Sequence, residues 1–336
     1  MIDNKCKNCG GELIYDVASG ELKCKQCDTI VDIPEQSANA VKIDYTSSSK
    51  LNTSNEEYAQ FSCATCGRKH ITPINQELHN CPSCGDCNLE KNVSVSYIPD
   101  GIIPFKLDKE KAMQSFAQWL RKRFWAPNNL KKLAKTESLK GTYFPLYNYD
   151  FNCHSKFSGV GVKTKTGLDG KSYTTRHKFK GEREDCFVNY VDSANSTIPS
   201  GLLREMANFD YSQCYVYRTE FLYGWIGLDN NIDIHNSFIK VQQTSKQEIE
   251  KRIEKDSKYD RVENLICETT YSGVKYNYLY VPVWVNYYNY KGKVYNCFIN
   301  GLTGKVSGDA PKSFWKRFFA VLGLIAVGAL LYYLIG

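Results

Sequence analysis

The sequence lacks most of the signatures that catalysis and secretion require. Its five histidines (70, 79, 154, 177 and 235) form no H-E-x-x-H and no i,i+4 pair, which removes the usual helical zinc-protease ligand set. No G-x-S-x-G nucleophile elbow occurs. The phosphate-cradling G-x-x-x-x-G-K-[ST] is also missing: the nearest approach, "TGLDGKS" at 166–172, places Lys165 where the first glycine must stand. That piece reads as a polar turn. The adjacent Cys153 and His154 are neighbours in sequence, which is not how Cys–His dyads are built. The amino terminus "MIDNKCKNCG" has no apolar stretch of the kind a cleavable signal peptide needs. A non-enzymatic protein that stays in the cytoplasm is the expectation.

What is abundant is cysteine. Eight of the 14 cysteines form four C-x-x-C pairs. The other six, Cys87, Cys153, Cys186, Cys214, Cys267 and Cys297, follow no pattern, an arrangement that suits a reducing compartment better than a disulfide framework. The first frame is Cys6-x2-Cys9-x14-Cys24-x2-Cys27, and the second, Cys63-x2-Cys66-x14-Cys81-x2-Cys84, repeats its spacing. Four thiolates so spaced close a tetrahedron around Zn²⁺, with iron as the alternative ion. Gly10, Gly67 and Gly85 follow three of the pairs, where a residue tolerant of positive φ is needed, and Asp28 takes that place in the fourth. Between Cys9 and Cys24, "ELIYDVASGELK" reads as two short strands joined at Ala18-Ser19-Gly20. So short a hairpin has no core of its own; a structural metal would contribute about 10–16 kcal/mol of folding free energy. With all four ligands from protein, two structural Zn²⁺ ions are expected. His70, His79 and Cys87 lie in or beside the second frame and read as bystanders.

These residues carry a resemblance. "CKNCGGELIYDVASGELKCKQCDTIVD", with Asp16, Gly20-Glu21 and Ile30-Val31, resembles a transcription-factor-IIB-type zinc ribbon. The wider layout adds "IIPFKLDKEKAMQSFAQWL", a body with "YFPLY" and "VPVW", and "INGLTGKVSGD". It resembles uncharacterised bacterial membrane proteins with such ribbons, often labelled after the primosomal replication helicase. The resemblance implies zinc and specifies no activity.

Charge separates along the chain. Residues 1–100 hold 9 Lys and Arg against 14 Asp and Glu, whereas residues 101–336 hold the remaining 34 against 22, so the halves stand at −5 and +12. Each Zn(Cys)₄ centre would add roughly −2 more to the first part. Nucleic-acid affinity rests on cations that neutralise phosphates. The ribbons are therefore expected to meet protein partners, with a local nucleic-acid contact at the rim of Lys5, Lys7, Lys23 and Lys25 as the alternative. No small-molecule substrate is evident.

The organisation expected is a ribbon at 1–33, a flexible Ser/Asn-rich linker at 34–60, a second ribbon at 61–98, an α+β, antiparallel-strand-rich domain at 99–310 and a transmembrane helix at 314–336. Asp108 is a candidate N-cap for a helix with Ala112, Phe116, Trp119, Leu120 and Phe124 on one face. Segment 106–140 has ten Lys and Arg against three acids. It reads as a solvated basic face, with anionic lipid or nucleic acid as alternative partners. Helices are also expected at "SGLLREMANF" and "SKQEIEKRIEKDSKY", and turns at Lys291-Gly292 and Asn300-Gly301. "YFPLYNYDF" (143–151) is echoed by "YVPVWVNYY" (280–288). Residues 318–336 lack both charge and proline, which is long enough to span about 28 Å as a helix. With Lys312, Trp315, Lys316 and Arg317 before it and Tyr332-Tyr333 near its end, it is expected to hold the body at the cytoplasmic face of the inner membrane, as a tail-anchored, single-pass adaptor. The alternative function is a membrane-tethered nucleic-acid binder.

Overall fold

The first cysteine frame folds as a separate three-stranded sheet of β1 (Leu13–Asp16), β2 (Glu21–Cys24) and β3 (Ile30–Val31). Its turn is tight because Asp16 Oδ2 accepts the Ser19 amide at 2.9 Å and Gly20 takes φ +76°. The computed structural model describes residues 4–33, 41–45, 58–74, 76–94, 99–127, 139–167, 170–290 and 293–335. Most of the expected linker, the Lys291-Gly292 turn and the basic residues Lys131, Lys132 and Lys135 lie outside the described residues.

All other strands join one 12-stranded sheet. In chain order these are β4 (Ile43–Asp44), β5 (Tyr58–Cys63), β6 (Lys69–Pro73), β7 (Leu89–Ser94), β8 (Gly101–Ile102), β9 (Leu139–Thr166), β10 (Ser172–Ser193), β11 (Tyr215–Val216), β12 (Ile226–Leu228), β13 (Arg261–Tyr290), β14 (Lys293–Asn300) and β15 (Val306–Gly308). The second frame is thus not a free-standing ribbon. Its β6 pairs with β12 at Ile71↔Gly227 and His70↔Leu228, and β12 runs parallel to β9 at Thr142 and Tyr143.

The two echoed tyrosine segments meet at their first residues, Tyr143↔Pro282 and Pro145↔Tyr280, and the antiparallel pairing of β9 with β13 continues through Tyr147↔Tyr278 and Tyr149↔Tyr276. Both strands are far longer than the five or six residues typical of globular proteins, at 28 and 30 residues. Their inner halves carry the core, where Tyr143, Tyr147, Tyr149, Tyr276, Tyr278 and Tyr280 are all buried. Their outer halves, with β10, leave the body as a ribbon. The β9–β10 register shifts between Phe187 and Tyr190, and the β9–β13 register between Glu263 and Ile266; Asn189 and Asn264 take positive φ at these bulges.

Helices cover what the sheet exposes. Asp108 caps α1 (Lys109–Arg121) by accepting the Lys111 amide, and Ala112, Phe116 and Leu120 are buried. Phe124 lies past the helix end and is exposed. A short α2 (Ser200–Met206) precedes α3, which spans Ile234–Asp256 and starts about three turns earlier than the expected Ser245, where Asp233 accepts the amides of His235 and Asn236. Ile234, Phe238, Val241, Ile249 and Ile253 of α3 pack on the tyrosines of β9 and β13.

The carboxyl-terminal helix α4 (Phe314–Ile335) corrects the expected membrane anchor. Among the described residues no helix is long and apolar enough to cross a membrane. Lys316 and Arg317 occupy its first turn. Lys316 Nζ donates inward to the carbonyl oxygens of Phe124 (2.9 Å) and Ala126 (2.7 Å). Tail anchoring, the single-pass topology and the inner-membrane location are therefore unsupported, and among the described residues Lys312, Trp315, Lys316 and Arg317 flank no helix long and apolar enough to be a span. The side chain of Tyr332 lies outside the described residues.

Candidate metal centres

Each C-x-x-C pair sits in the same backbone knuckle. The amide of the first cysteine donates to the carbonyl five residues on: Cys6 to Gly11 (2.7 Å), Cys24 to Thr29 (2.9 Å), Cys63 to Arg68 (3.0 Å) and Cys81 to Asp86 (2.7 Å). The amide four residues on returns to the first cysteine's carbonyl, from Gly10, Asp28, Gly67 and Gly85. Closing both bonds forces positive φ at those four residues, at 74°, 58°, 70° and 81°. The loop turns its following amides toward sulfur, as Gly11 to Cys9 Sγ and Gln26 to Cys24 Sγ, both 3.4 Å.

Two knuckles face each other in each frame. Cys6, Cys9, Cys24 and Cys27 gather with all sulfurs within 4.8 Å of one another, and Cys63, Cys66, Cys81 and Cys84 do the same. The closest pairs are Cys6–Cys27 at 3.7 Å, Cys9–Cys24 at 3.4 Å, Cys63–Cys84 at 3.6 Å and Cys66–Cys81 at 3.6 Å. A tetrahedral ion with metal–sulfur bonds of about 2.3 Å sets its ligands about 3.8 Å apart. Both clusters fit a four-thiolate metal ion. Cys87 and His79 are exposed and outside the clusters.

The surroundings of the two centres differ. At the first, the Thr29 hydroxyl, 3.0 Å from Cys27 Sγ, and the Thr29 amide hold the Cys27 thiol down to about 6, a thiolate at neutral pH. The amides of Cys9 and Asn8 lower Cys6. At Cys9 the Gly11 amide acts in the same direction but is outweighed by the nearby thiols of Cys27 and Cys24, which push it up to about 12. A divalent cation relieves that crowding by taking all four sulfurs as thiolates.

At the second centre His70, read from sequence as a bystander, is fully buried with Nε2 3.4 Å from both Cys81 Sγ and Ser83 Oγ. Burial, with the Arg68 charge beside it, pulls its pKa down to about 3, so the ring is neutral. A neutral ring with its proton on Nε2 donates to the Cys81 sulfur, as outer-shell donors do at metal centres. Nothing in the cysteine spacing marks His70; its place on β6, one strand from the knuckle, does.

The first hairpin is docked rather than free. The Tyr15 amide donates to the Tyr223 carbonyl at 2.8 Å, the Trp225 indole N–H donates to the Tyr15 carbonyl at 2.9 Å, and the rings of Tyr15 and Phe221 lie 5.3 Å apart. Its core residues Leu13, Tyr15, Leu22 and Cys24 belong to one apolar cluster with Phe105, Phe116, Tyr143 and Trp284 of the body. Gly224 permits the approach: it holds φ +78°, and a Cβ there would stand 2.7 Å from Ile14.

Among known proteins, this chain is similar to the uncharacterized protein YdjG of Bacillus subtilis (strain 168), with 24% identity over 320 residues covering 93% of this chain and 91% of that protein. No family model matches the chain, and no solved structure matches it.

Proposed function

We propose that this protein is a non-enzymatic adaptor in which two zinc-folded hairpins, fixed to a β-rich body, offer their knuckle loops to a protein partner. The observation that carries this reading is the contrast between anchored strands and exposed tips. Residues 7–10, 25 and 26 at the first centre and residues 64, 65, 67, 84, 85, 87 and 88 at the second are exposed, while the strands behind them are hydrogen-bonded to, or built into, the body. Zinc is supported by the all-thiolate tetrahedral sulfur set, which leaves no coordination position for substrate or water. A protein partner is favoured over phosphate at this end by the −5 balance of residues 1–100.

The test is co-purification with the tagged full-length chain. Lys7→Ala with Asn8→Ala alters the first tip without touching a ligand, and alanine at Cys6, Cys9, Cys24 and Cys27 removes the centre. The reading expects the same partners to be lost from both variants. Retention of every co-purifying protein by both would end the recognition role of the first hairpin.

A further inference from the structure

The ribbon formed by the outer parts of β9, β10 and β13 changes character along its length. In its lower stem bases meet acids: Arg183 and Arg252 bind Asp185, Arg183 also binds Asp256, His154 lies between Glu182 and Glu184, and Lys156 meets Glu182. The third strand, β13, pairs outward only as far as Arg261↔Val162. Beyond that point β9 and β10 continue alone, from Lys163↔Thr175 to Thr166↔Ser172. At about 3.4 Å per residue this two-stranded arm extends on the order of 15 Å past the sheet.

Residues 163–175 contain three Lys (163, 165 and 171) and one acid, Asp169, and Lys178 and Lys180 follow at the top of the stem. Strand alternation places Lys163, Lys165, Tyr173, Thr175 and His177 on one face. Tyr259 completes that face. Its ring lies flat on Gly161, where a Cβ would come within 2.1 Å of it, and it stacks beside His177 at 18° and 6.3 Å. Lys163 and Lys258 stand over the Tyr259 ring at 5.9 and 5.7 Å. The nearby carboxylates are engaged elsewhere: Asp260 accepts the Thr164 amide at 2.7 Å, and Asp256 binds Arg183. Among the described residues no acid pairs with Lys163, Lys165 or Lys258. The opposite face carries the hydroxyls of Thr164, Thr166, Ser172 and Thr174, with Arg176 paired to Glu263 at its base.

The geometry points to a nucleic-acid-binding arm: the Lys163–Lys165–Tyr173–Tyr259 face and the hydroxyl-bearing opposite face engage the phosphate backbone of B-form duplex DNA. A two-stranded β-ribbon is one of the two protein elements that the roughly 12 Å wide major groove admits, and the arm's reach exceeds the groove's depth of about 8.5 Å. Lysine ammoniums and Ser/Thr hydroxyls are the groups that hold phosphates. Insertion into a lipid surface draws on aliphatic and aromatic burial, and of the arm's described side chains only Tyr173 is large, apolar and exposed, with Val162 at the base buried. The groove of A-form RNA is too narrow for such a ribbon. This inference is independent of the adaptor reading, which concerns the other end of the chain and opposite charge.

The experiment is fluorescence polarisation with the zinc-loaded full chain and a mixed-sequence DNA duplex of about 24 base pairs, titrated from about 50 mM to about 200 mM salt. The expected result is binding whose logarithm falls linearly with log salt. Lys163→Gln with Lys165→Gln should weaken affinity about tenfold or more at low salt and flatten the slope by roughly 1.8, about 0.9 for each lost phosphate contact. Lys240→Gln with Lys251→Gln, an equal loss of charge on exposed positions of α3, should leave the slope unchanged. Thermal unfolding of each variant checks that these surface changes leave the fold intact. Three results would overturn the inference: no duplex binding at low salt, equal slopes for the arm variant and wild type, or tighter binding to phosphatidylcholine vesicles with about one-third phosphatidylserine than to the duplex.

Discussion

Trp225 donates its indole N–H to the main-chain carbonyl of Tyr15, 2.9 Å away and 210 positions earlier in the chain. The same indole stacks on Phe105 at 4.2 Å and 18° and meets Trp284 edge-on. One side chain thus joins the first four-cysteine hairpin to the aromatic core of the body. Trp225→Phe keeps a ring and removes the donor, so it should cost about 1 kcal/mol. Trp225→Ala should cost about 3–5 kcal/mol. Denaturant unfolding gives the energies. Hydrogen exchange at the Tyr15 amide, which donates to Tyr223, should accelerate in the alanine variant if the hairpin undocks as a unit.

Gly141 is the floor under that indole. A Cβ at this position would lie 2.1 Å from Trp225 Cζ3 and 2.7 Å from Cε3. Gly141→Ala should therefore displace the ring and destabilise the fold by about 1–3 kcal/mol, the range for overpacking. The gain in strand propensity is smaller than this. Thermal unfolding of the variant should show a lower midpoint and, as in Trp225→Ala, faster exchange at Tyr15. An unchanged midpoint would mean that the indole is not held against this strand.

Removing the metals should have unequal consequences. The first centre holds a separate three-stranded sheet that docks on the body, whereas the second lies at the end of β5–β7, which continue the 12-stranded sheet. Serine at Cys6 and Cys9 should unfold the first hairpin while the body still melts cooperatively. Serine at Cys63 and Cys66 should lower the melting temperature of the body itself, because β6 pairs with β12 beside β9. Near-ultraviolet circular dichroism of the buried tyrosines during a chelator titration distinguishes the two.

Asp185 supplies a pH dependence of definite sign. Burial alone would raise its carboxyl, but the guanidiniums of Arg183 (2.7 and 3.0 Å) and Arg252 (2.8 Å) outweigh burial and hold it below the ordinary carboxylate value. Its unfolded pKa is about 3.9. The stabilisation is thus fully present above about pH 4 and is lost as the pH falls through the lower folded value. Asp185→Asn should cost about 2 kcal/mol at neutral pH, less than for a fully buried pair because Arg252 reaches solvent. In urea unfolding at a series of pH values, the penalty should shrink toward zero as the pH falls below about 4.

What was legible in the sequence is local. Knuckle chemistry is written in C-x-x-C followed by glycine, the Asp108 cap in its position before an amphipathic run, and the Ala18-Ser19-Gly20 turn in its residue types. What was not legible depends on partners far away. Tyr15 and Trp225 carry no mark of each other, and neither β6 nor β12 carries a mark of the pairing of Ile71 with Gly227 and His70 with Leu228. The start of α3 was obscured because polar residues of "IHNSFIKVQQT" dilute its apolar face, although Asp233 was there to cap it. The apolar tail shows the limit of composition. Hydropathy alone made 318–336 a span, while Lys316 in the first turn of the helix is drawn to the carbonyls of Phe124 and Ala126.

Two four-thiolate clusters shape the amino-terminal third of the chain. Metal analysis of the chain purified under reducing conditions, by inductively coupled plasma mass spectrometry, tests their metal-binding role most directly. Two zinc ions per chain are expected, falling to one with serine at Cys6 and Cys9 and to one with serine at Cys63 and Cys66. A wild-type chain that is folded by circular dichroism yet carries no stoichiometric metal would contradict that role.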